Sequence, residues 1–491
     1  MAKRTAIIDI GSNSARLVLF QQTSRFGFHL VCEQKSRVRI GEGAYAHQGE
    51  LQEVGMERAY RALESFMQTI HEFKASKVIA VATSALRDAP NRQPFLDKVS
   101  RDLGLHIEVI HGKEEALLGA IAANNLLPVT EGITIDIGGG SSDIALIKKG
   151  KIVETFSLDL GTVRLKELFF DKDAEIASVK TYIQTILKTL PGSFQASSAI
   201  GIGGTARTLA KGIIQKEGYP LNKLHAFCYD FGLQQEYFQE IIGAKRDTLK
   251  RLHIKENRHD TVREGTLILS EILTYIGAKQ VMTSGVGVRE GVYLRHRLRK
   301  PPYTLPKNSN PSVRSIRDRF DMLSFPIGNK KEIGHTLYKL FSAKLDHPAK
   351  YDTLFQTLLT LSDTGKSLTI YHKDRHASYI AMQELNYGFT HEEIVLVSLL
   401  LYSKPKRGYH KALYQQYKML LPPKNTVKWL AFLYSLTLIL HQNSSNAKYR
   451  FDLQKGILSI ASDKTLYLAT EAIEELKKPE KLKIELSQQK G

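Results

Sequence analysis

Cysteine is almost missing from this chain, with two among 491 residues, Cys32 and Cys228. Two distant thiols supply neither a disulfide framework nor the paired spacing of a zinc site, so thiol chemistry neither holds nor runs the protein. Long apolar runs are missing too: the longest, Trp429 to Leu440, falls short of the about 20 residues that a bilayer needs. The apolar stretch behind the basic start stops at Asp9, short of the roughly 7–15-residue core of a secretory signal. These absences predict a cytoplasmic protein with no membrane partner. Acid is scarce as well, since 50 Asp and Glu against 69 Lys and Arg leave a formal charge of +19. Net charge governs association rather than topology, so the excess points to polyanions: nucleic acid, an anionic membrane surface, or a phosphate-rich molecule. Part of it sits in Arg289, Arg295, His296, Arg297, Arg299 and Lys300, just before the Pro301-Pro302 break, where a solvated helix end running into a linker is the other reading.

What is present is an ordinary folding composition, 42% hydrophobic and 24% charged, which excludes disordered and collagen-like classes. At roughly 100–200 residues per domain the length predicts two to four domains. Strand and helix patterns alternate through the first quarter: a hairpin over Thr5 to Phe20, a helix over Val54 to Phe73, a strand over Lys77 to Ala82, a helix over Gln93 to Leu103, and a short strand before Gly112. The pattern restarts after Pro128. AIIDIGSNSARLVLF near the start is answered by ITIDIGGGSSDIALI, which is an internal repeat and predicts two similar α/β lobes facing across a cleft. Beyond the Pro- and Asn-rich PPYTLPKNSNPS the chain turns Leu-rich and helical, with short strands expected near Tyr449 to Ile460. The expected domains are 1–126, 127–305 and 306–491.

Chemistry gathers at the two repeat openings. A strand delivers Asp9 to a turn in which Gly11 permits close approach, while Ser12, Asn13 and Ser14 offer hydroxyl, amide and backbone donors to phosphate oxygens. The second opening sets Gly138, Gly139 and Gly140 before Ser141 and Ser142. Three glycines carry an entropic cost of up to about 1 kcal/mol each against Ala, which a purely structural turn does not favour and a backbone approaching a ligand does. Asp136 and Asp143 add oxygen donors suited to Mg²⁺, although Asp143 also reads as a strand-edge residue facing solvent.

The pair DIGSNS and DIGGGSSD, with ATSALRDAPN (82–91) and HGKEEA (111–116), resembles the exopolyphosphatase/guanosine pentaphosphate phosphohydrolase (Ppx/GppA) family, of the actin/Hsp70/sugar-kinase superfamily. The motifs run in order from residue 5 to about 291. The resemblance implies an α/β fold of two actin-like (ribonuclease H-like) lobes around a cleft, plus a mainly α-helical, HD-like C-terminal domain. It implies Glu115 as the general base that activates water. Adjacent helical residues diverge by roughly 100°, so only one of Glu114 and Glu115 can face the cleft. Arg87 is implied as a phosphate contact, with pairing to Asp88 or a helix end as the alternative. Gly203, Gly204, Thr205 and Arg207 resemble a third Gly-rich turn, of which Gly204 and Thr205 are expected to line the cleft. Ser284, Gly285 and Arg289 match the last motif, near the nucleoside or the phosphate chain, and Arg289 reads equally as a partner of a lobe carboxylate.

The implied activity is Mg²⁺-assisted hydrolysis of a terminal phosphoanhydride, with Asp9, Asp136 and Asp143 near the metal. The substrates would be inorganic polyphosphate or pppGpp, which would place the protein in the stringent response, and the protein would act as a homodimer. Neither a helix-turn-helix nor a zinc finger is found, so sequence-specific nucleic acid is not an expected partner. Two departures stand out: Asp143 where some relatives carry Glu, and Ser362-Asp363 where an HD site needs His-Asp, which predicts a non-catalytic helical domain even though His372 and His376 stand four apart. The rival functions are a kinase of the same superfamily and a low-turnover polyphosphate- or nucleotide-binding regulator.

Overall fold

The computed structural model describes residues 3–320, 329–441 and 447–488. The outermost expected domain bounds, residues 1 and 491, lie outside them. The chain divides into two compact units, Met1–Asn310 and Pro311–Gly491.

In the first unit, strands β1 (Arg4–Ile10), β2 (Ala15–Gln22) and β3 (Phe28–Ser36) are followed by helix α1 (Glu53–Glu72), β4 (Lys77–Ala82), α2 (Ser84–Asp88), α3 (Arg92–Leu103), β5 (Ile107–Val109) and α4 (Gly112–Leu126). The sheet order is β3-β2-β1-β4-β5, antiparallel through the first hairpins and parallel from β1 to β5. The second half repeats the plan with β6 (Gly132–Ile137), β7 (Ser142–Lys148), β8 (Lys151–Leu158), α5 (Thr162–Leu168), α6 (Ile176–Leu187), β9 (Ser198–Ile202), α7 (Gly203–Lys216), β10 (Cys228–Asp230), α8 (Phe231–Gly243), α9 (Val262–Tyr275), β11 (Gln280–Thr283) and α10 (Val288–Leu298). Its sheet runs β8-β7-β6-β9-β11, the same order, with β10 added at the edge. The repeat legible in the sequence is therefore a repeat of topology. Near-continuous apolar runs such as AIIDI and GITIDI form central strands because both sheet faces are covered, and they are buried in two separate cores, one per lobe.

Two helix starts depart from the sequence pattern. SALRD forms α2, and GGTAR opens α7 instead of forming a third turn. Gly203, at φ +81°, turns the chain directly from β9 into the helix, so the turn takes one residue.

The second unit is mainly helical: α11 (Pro311–Arg319), α12 (Lys330–Leu340), α13 (Pro348–Leu361), α14 (Lys373–Glu384), α15 (His391–Leu401), α16 (Lys411–Gln416), α17 (Lys424–His441) and α18 (Tyr467–Glu474). The expected short strands are β12 (Tyr449–Gln454) and β13 (Ile457–Ser462), joined by β14 (Lys483–Gln488) in parallel with β13. The apolar face of α17, centred on Trp429, Leu433 and Leu436, is the middle of its core. Among the described residues no helix is long and apolar enough to cross a membrane.

Candidate active site

The two repeat openings build the same turn. The Gly11 amide donates to the Ser14 carbonyl at 3.1 Å, and the Gly138 amide donates to the Ser141 carbonyl at 2.9 Å. The turns abut: a Cβ on Gly139 would lie 2.6 Å from the Ser12 Cβ, so only glycine fits there. Ser12 also shares a 3.0 Å hydrogen bond with Ser84 at the start of α2. The N-terminus of α5 clasps the second turn from behind, where Thr162 and Val163 amides donate to the Gly138 and Gly139 carbonyls at 3.0 and 2.8 Å.

Between the turns lies a cavity of about 160 Å³. It is lined by the expected Asp9, Gly11, Ser12, Asn13, Ser14, Glu115, Asp136, Gly138, Gly139, Gly204, Thr205 and Arg289. Other expected residues do not line it. Ser142 is fully buried and donates its hydroxyl to the Leu160 carbonyl. Ser284 turns its hydroxyl back to the Val286 backbone, and the Gly285 amide donates to His225 Nδ1. Gly140 gives its carbonyl to Arg164. These four are structural neighbours of the cavity because strand pairing and local turns consume their polar groups. Asp143, paired across the hairpin with Asp136, is buried and accepts hydrogen bonds from Ser157 at 2.6 Å and Ser141 at 3.3 Å, so it faces hydroxyls rather than solvent.

The two acids opening α4 diverge as helical geometry requires. Glu114 pairs with Arg295 on α10, and Glu115 turns into the cavity with its side chain 12% exposed. Arg87 at the end of α2 is spent on Glu115, with Nη1 3.2 Å from Oε2 and also donating to the Ile110 carbonyl. Its Nη2 donates to Ser141 Oγ at 3.3 Å, and Asp88 lies 3.6 Å from Nε. Arg87 does not line the cavity and holds the glutamate that does.

Burial first, then the neighbouring Asp143, push the Glu115 carboxyl well above the ordinary range, and Arg87 only partly offsets them. Burial also raises Asp9, takes Asp136 up to about 6 and Asp143 to about 7.

A cationic wall faces these acids. Arg16, Lys35, Arg37, Arg207 and Arg258 line the cavity with Arg289. Arg289 and Arg16 both pair with Glu33, at 2.8 and 3.2 Å. Burial works against the Glu33 charge, yet the Arg289 hydrogen bond and these two cations keep its carboxyl below the ordinary range. Burial and then Arg16 depress Lys35 to about 8 and Arg207 to about 10. Sequence reasoning missed Arg16, Lys35, Arg37 and Arg258. The alternation Lys35-x-Arg37 at the end of β3 was a usable signal for one cationic face. Arg258 left none, because it ends a single 3-10 turn (Glu256–Arg258) far along the chain from Gly204, over which it lies and where a Cβ would meet its Nη2 at 2.4 Å.

Asp9 and Asp136 are the cavity's candidate metal ligands. Among the described residues no group of three or more His, Cys, Asp or Glu is arranged to hold a metal. Two carboxylates suit Mg²⁺, which keeps waters and takes phosphate oxygens for the rest of its shell. Burial raises their affinity for protons, and a bound divalent cation would favour the charged carboxylates instead.

A model described as the Ppx/GppA phosphatase family matches residues 18–300. Exopolyphosphatase 2 from Mycobacterium tuberculosis is 28% identical over 316 residues, 59% of this chain and 98% of that protein. Guanosine-5'-triphosphate,3'-diphosphate pyrophosphatase from Photobacterium profundum is 24% identical over 465 residues, 91% of this chain and 89% of the relative. The chain spans 44% of the length of a bifunctional 3-dehydroquinate synthase/phosphatase from Fusobacterium nucleatum, at 27% identity over 57% of this chain. Among solved structures, the Aquifex aeolicus member of the Ppx/GppA protein family superposes with a TM-score of 0.53 at 30% identity, over 61% of this chain and 99% of that one.

Proposed function

This chain belongs to the Ppx/GppA phosphatase family, and from that premise we propose that it hydrolyses terminal phosphoanhydrides, shortening inorganic polyphosphate from its end or converting pppGpp to ppGpp. The observation that carries the reading is Glu115. A buried carboxyl with raised proton affinity shares one cavity with two phosphate-type turns and a wall of arginines.

A terminal phosphate entering the cavity would meet the backbone of Gly11 to Ser14 and Gly138-Gly139, with Arg16, Arg207 and Arg289 opposing its charge. Glu115 takes a proton from water as the water oxygen bonds to the terminal phosphorus, and the bridging P–O bond breaks toward the shortened chain. Burial raises the proton affinity of Glu115, which makes it a stronger base toward the attacking water than an exposed carboxylate. Arg87 fixes the carboxylate and favours its charged form. Mg²⁺, held by Asp9 and Asp136, would neutralise the phosphoryl oxygens. The helical unit, with Ser362 where an HD site carries His, takes no part in the chemistry.

The test is phosphate release from long polyphosphate and from pppGpp, with Mg²⁺, for the parent and Glu115→Gln. The variant is expected to lose about 100-fold or more in kcat while still binding substrate. Full activity in the variant would remove Glu115 from the mechanism. Phosphate transfer that depends on an added acceptor alcohol would replace the hydrolase with the kinase reading.

A further inference from the structure

The family match ends at residue 300, before the helical unit begins. That unit has a cavity of its own, of about 450 Å³, within the range of small-molecule sites. Its composition is specific. Tyr414 and Phe432 are buried in its floor, and Tyr409 packs on Tyr414 with ring centroids 5.3 Å apart. Above the floor stand Lys411, Lys424, Lys428, Lys477 and Lys478, and none of the five forms an ion pair among the described residues. The arrangement follows from helix geometry: Lys424, Lys428, Ala431, Phe432 and Ser435 recur on one face of α17, charged at its N-terminal end and aromatic further along. Nearby, Tyr402 and His410 stack at 4.6 Å with rings 4° from parallel, lining a neighbouring cavity that shares Tyr409, Lys411 and Lys477 with the first.

Against these five lysines the lining sets one acid, Glu480, which is paired with Lys344, so the site calls for several negative charges. An aromatic floor beneath them calls for a flat ring, and Gln415 and Asn425 offer amides at its edge. A phosphate chain alone would leave the aromatic floor unused, whereas a base stacks on an aromatic side chain and its phosphates reach the ammonium groups. We propose that the Pro311–Gly491 unit binds a free nucleotide carrying several phosphates, with its base on Tyr409 and Tyr414 and its phosphates on Lys424, Lys428 and Lys477. The site is separate from catalysis and does not depend on the activity proposed above.

The test uses the full chain carrying Glu115→Gln, so that no probe is consumed. Guanosine 5′-(β,γ-imido)triphosphate and inorganic tripolyphosphate are titrated calorimetrically. The paired substitution Lys424→Ala with Lys428→Ala is expected to weaken one class of nucleotide site about tenfold or more. Tyr409→Leu is expected to weaken nucleotide binding about fivefold or more while leaving tripolyphosphate within about twofold. Both lysines are exposed, so the pair keeps the fold; Lys477→Ala with Lys478→Ala is an independent second pair. Phosphate release by the same variants with Glu115 intact, without nucleotide, is expected to match the parent, which separates this inference from the proposed reaction. Nucleotide binding unchanged by both lysine pairs overturns the proposal. Equal weakening of nucleotide and tripolyphosphate by Tyr409→Leu overturns it too, since the floor would then read no base.

Discussion

Glu115 and Arg87 act as one group. The guanidinium lowers the proton affinity that burial and Asp143 raise, so removing it shifts the base upward. Arg87→Gln is therefore expected to move the acidic limb of the kcat/KM pH profile to higher pH, while binding of the phosphate chain falls little because Arg87 does not line the cavity. A uniform loss at all pH values would assign it to phosphate instead. Asp363 shows the opposite electrostatics. Buried Lys330 donates to it and to Ser362, both at 2.7 Å, and Lys366 adds a 2.6 Å contact. Burial opposes the Asp363 charge, yet Lys330 and then Lys366 bring its carboxyl down to about 2. Its folded value lies below the unfolded one, so its stabilisation is present above about pH 4 and is lost as pH falls through about 2. Asp363→Ala leaves the Lys330 ammonium buried and unpaired, at an expected cost of about 3 kcal/mol near neutral pH. Trp429, the chain's single tryptophan, lies in this unit's core, so its fluorescence during urea unfolding reads that cost, which should shrink between pH 4 and pH 2. The sequence showed the missing histidine at 362 but not the lysine, because Lys330 comes from another helix. The two histidines four apart do not complete a metal site: His372 is the α14 N-cap, at φ +55°, and only His376 lies within the helix.

At the level of elements, the repeat was legible because both halves place aspartate, Ile-Gly and small polar residues after a buried strand. The openings of α2 and α7 were not, since Ser, Gly and Thr are turn formers by composition and become helix starts only where a strand delivers them to one. Packing of α10 on α4 was equally hidden. The two helices meet backbone to backbone at Gly291, where a Cβ would come within 2.0 Å of the Leu118 carbonyl oxygen. Gly291→Ala must part them and is expected to cost roughly 1–3 kcal/mol by chemical denaturation. Because α4 carries Glu115, activity should fall further than the folded fraction does. A variant as stable and active as the parent would show that the helices part freely.

For the whole molecule, the formal charge of +19 allowed several kinds of polyanion, and its distribution narrows the choice. The cluster at 289–300 is divided: Arg289 is buried on Glu33, Arg295 pairs with Glu114, Arg297 donates to the Arg25 carbonyl, and His296, Arg299 and Lys300 stay exposed. Of that cluster the cavity takes only Arg289; its other cations are Arg16, Lys35, Arg37, Arg207 and Arg258, gathered by the fold from segments that no local reading connects. Attraction of a long polyanion to such a field is screened within about 8 Å at physiological ionic strength. The KM for long polyphosphate is therefore expected to rise with salt more steeply than that for tripolyphosphate, with kcat nearly constant; equal salt slopes would leave the wider field without a role. Where the two halves meet, Gly139 rests against Ser12 with no room for one methyl group. The separation of the turns at that point is set by the Gly139 main chain against the Ser12 Cβ, an atom that no change of rotamer moves. Substrates of different girth therefore cannot be accommodated there by shuffling side chains; making room takes backbone movement of one turn away from the other.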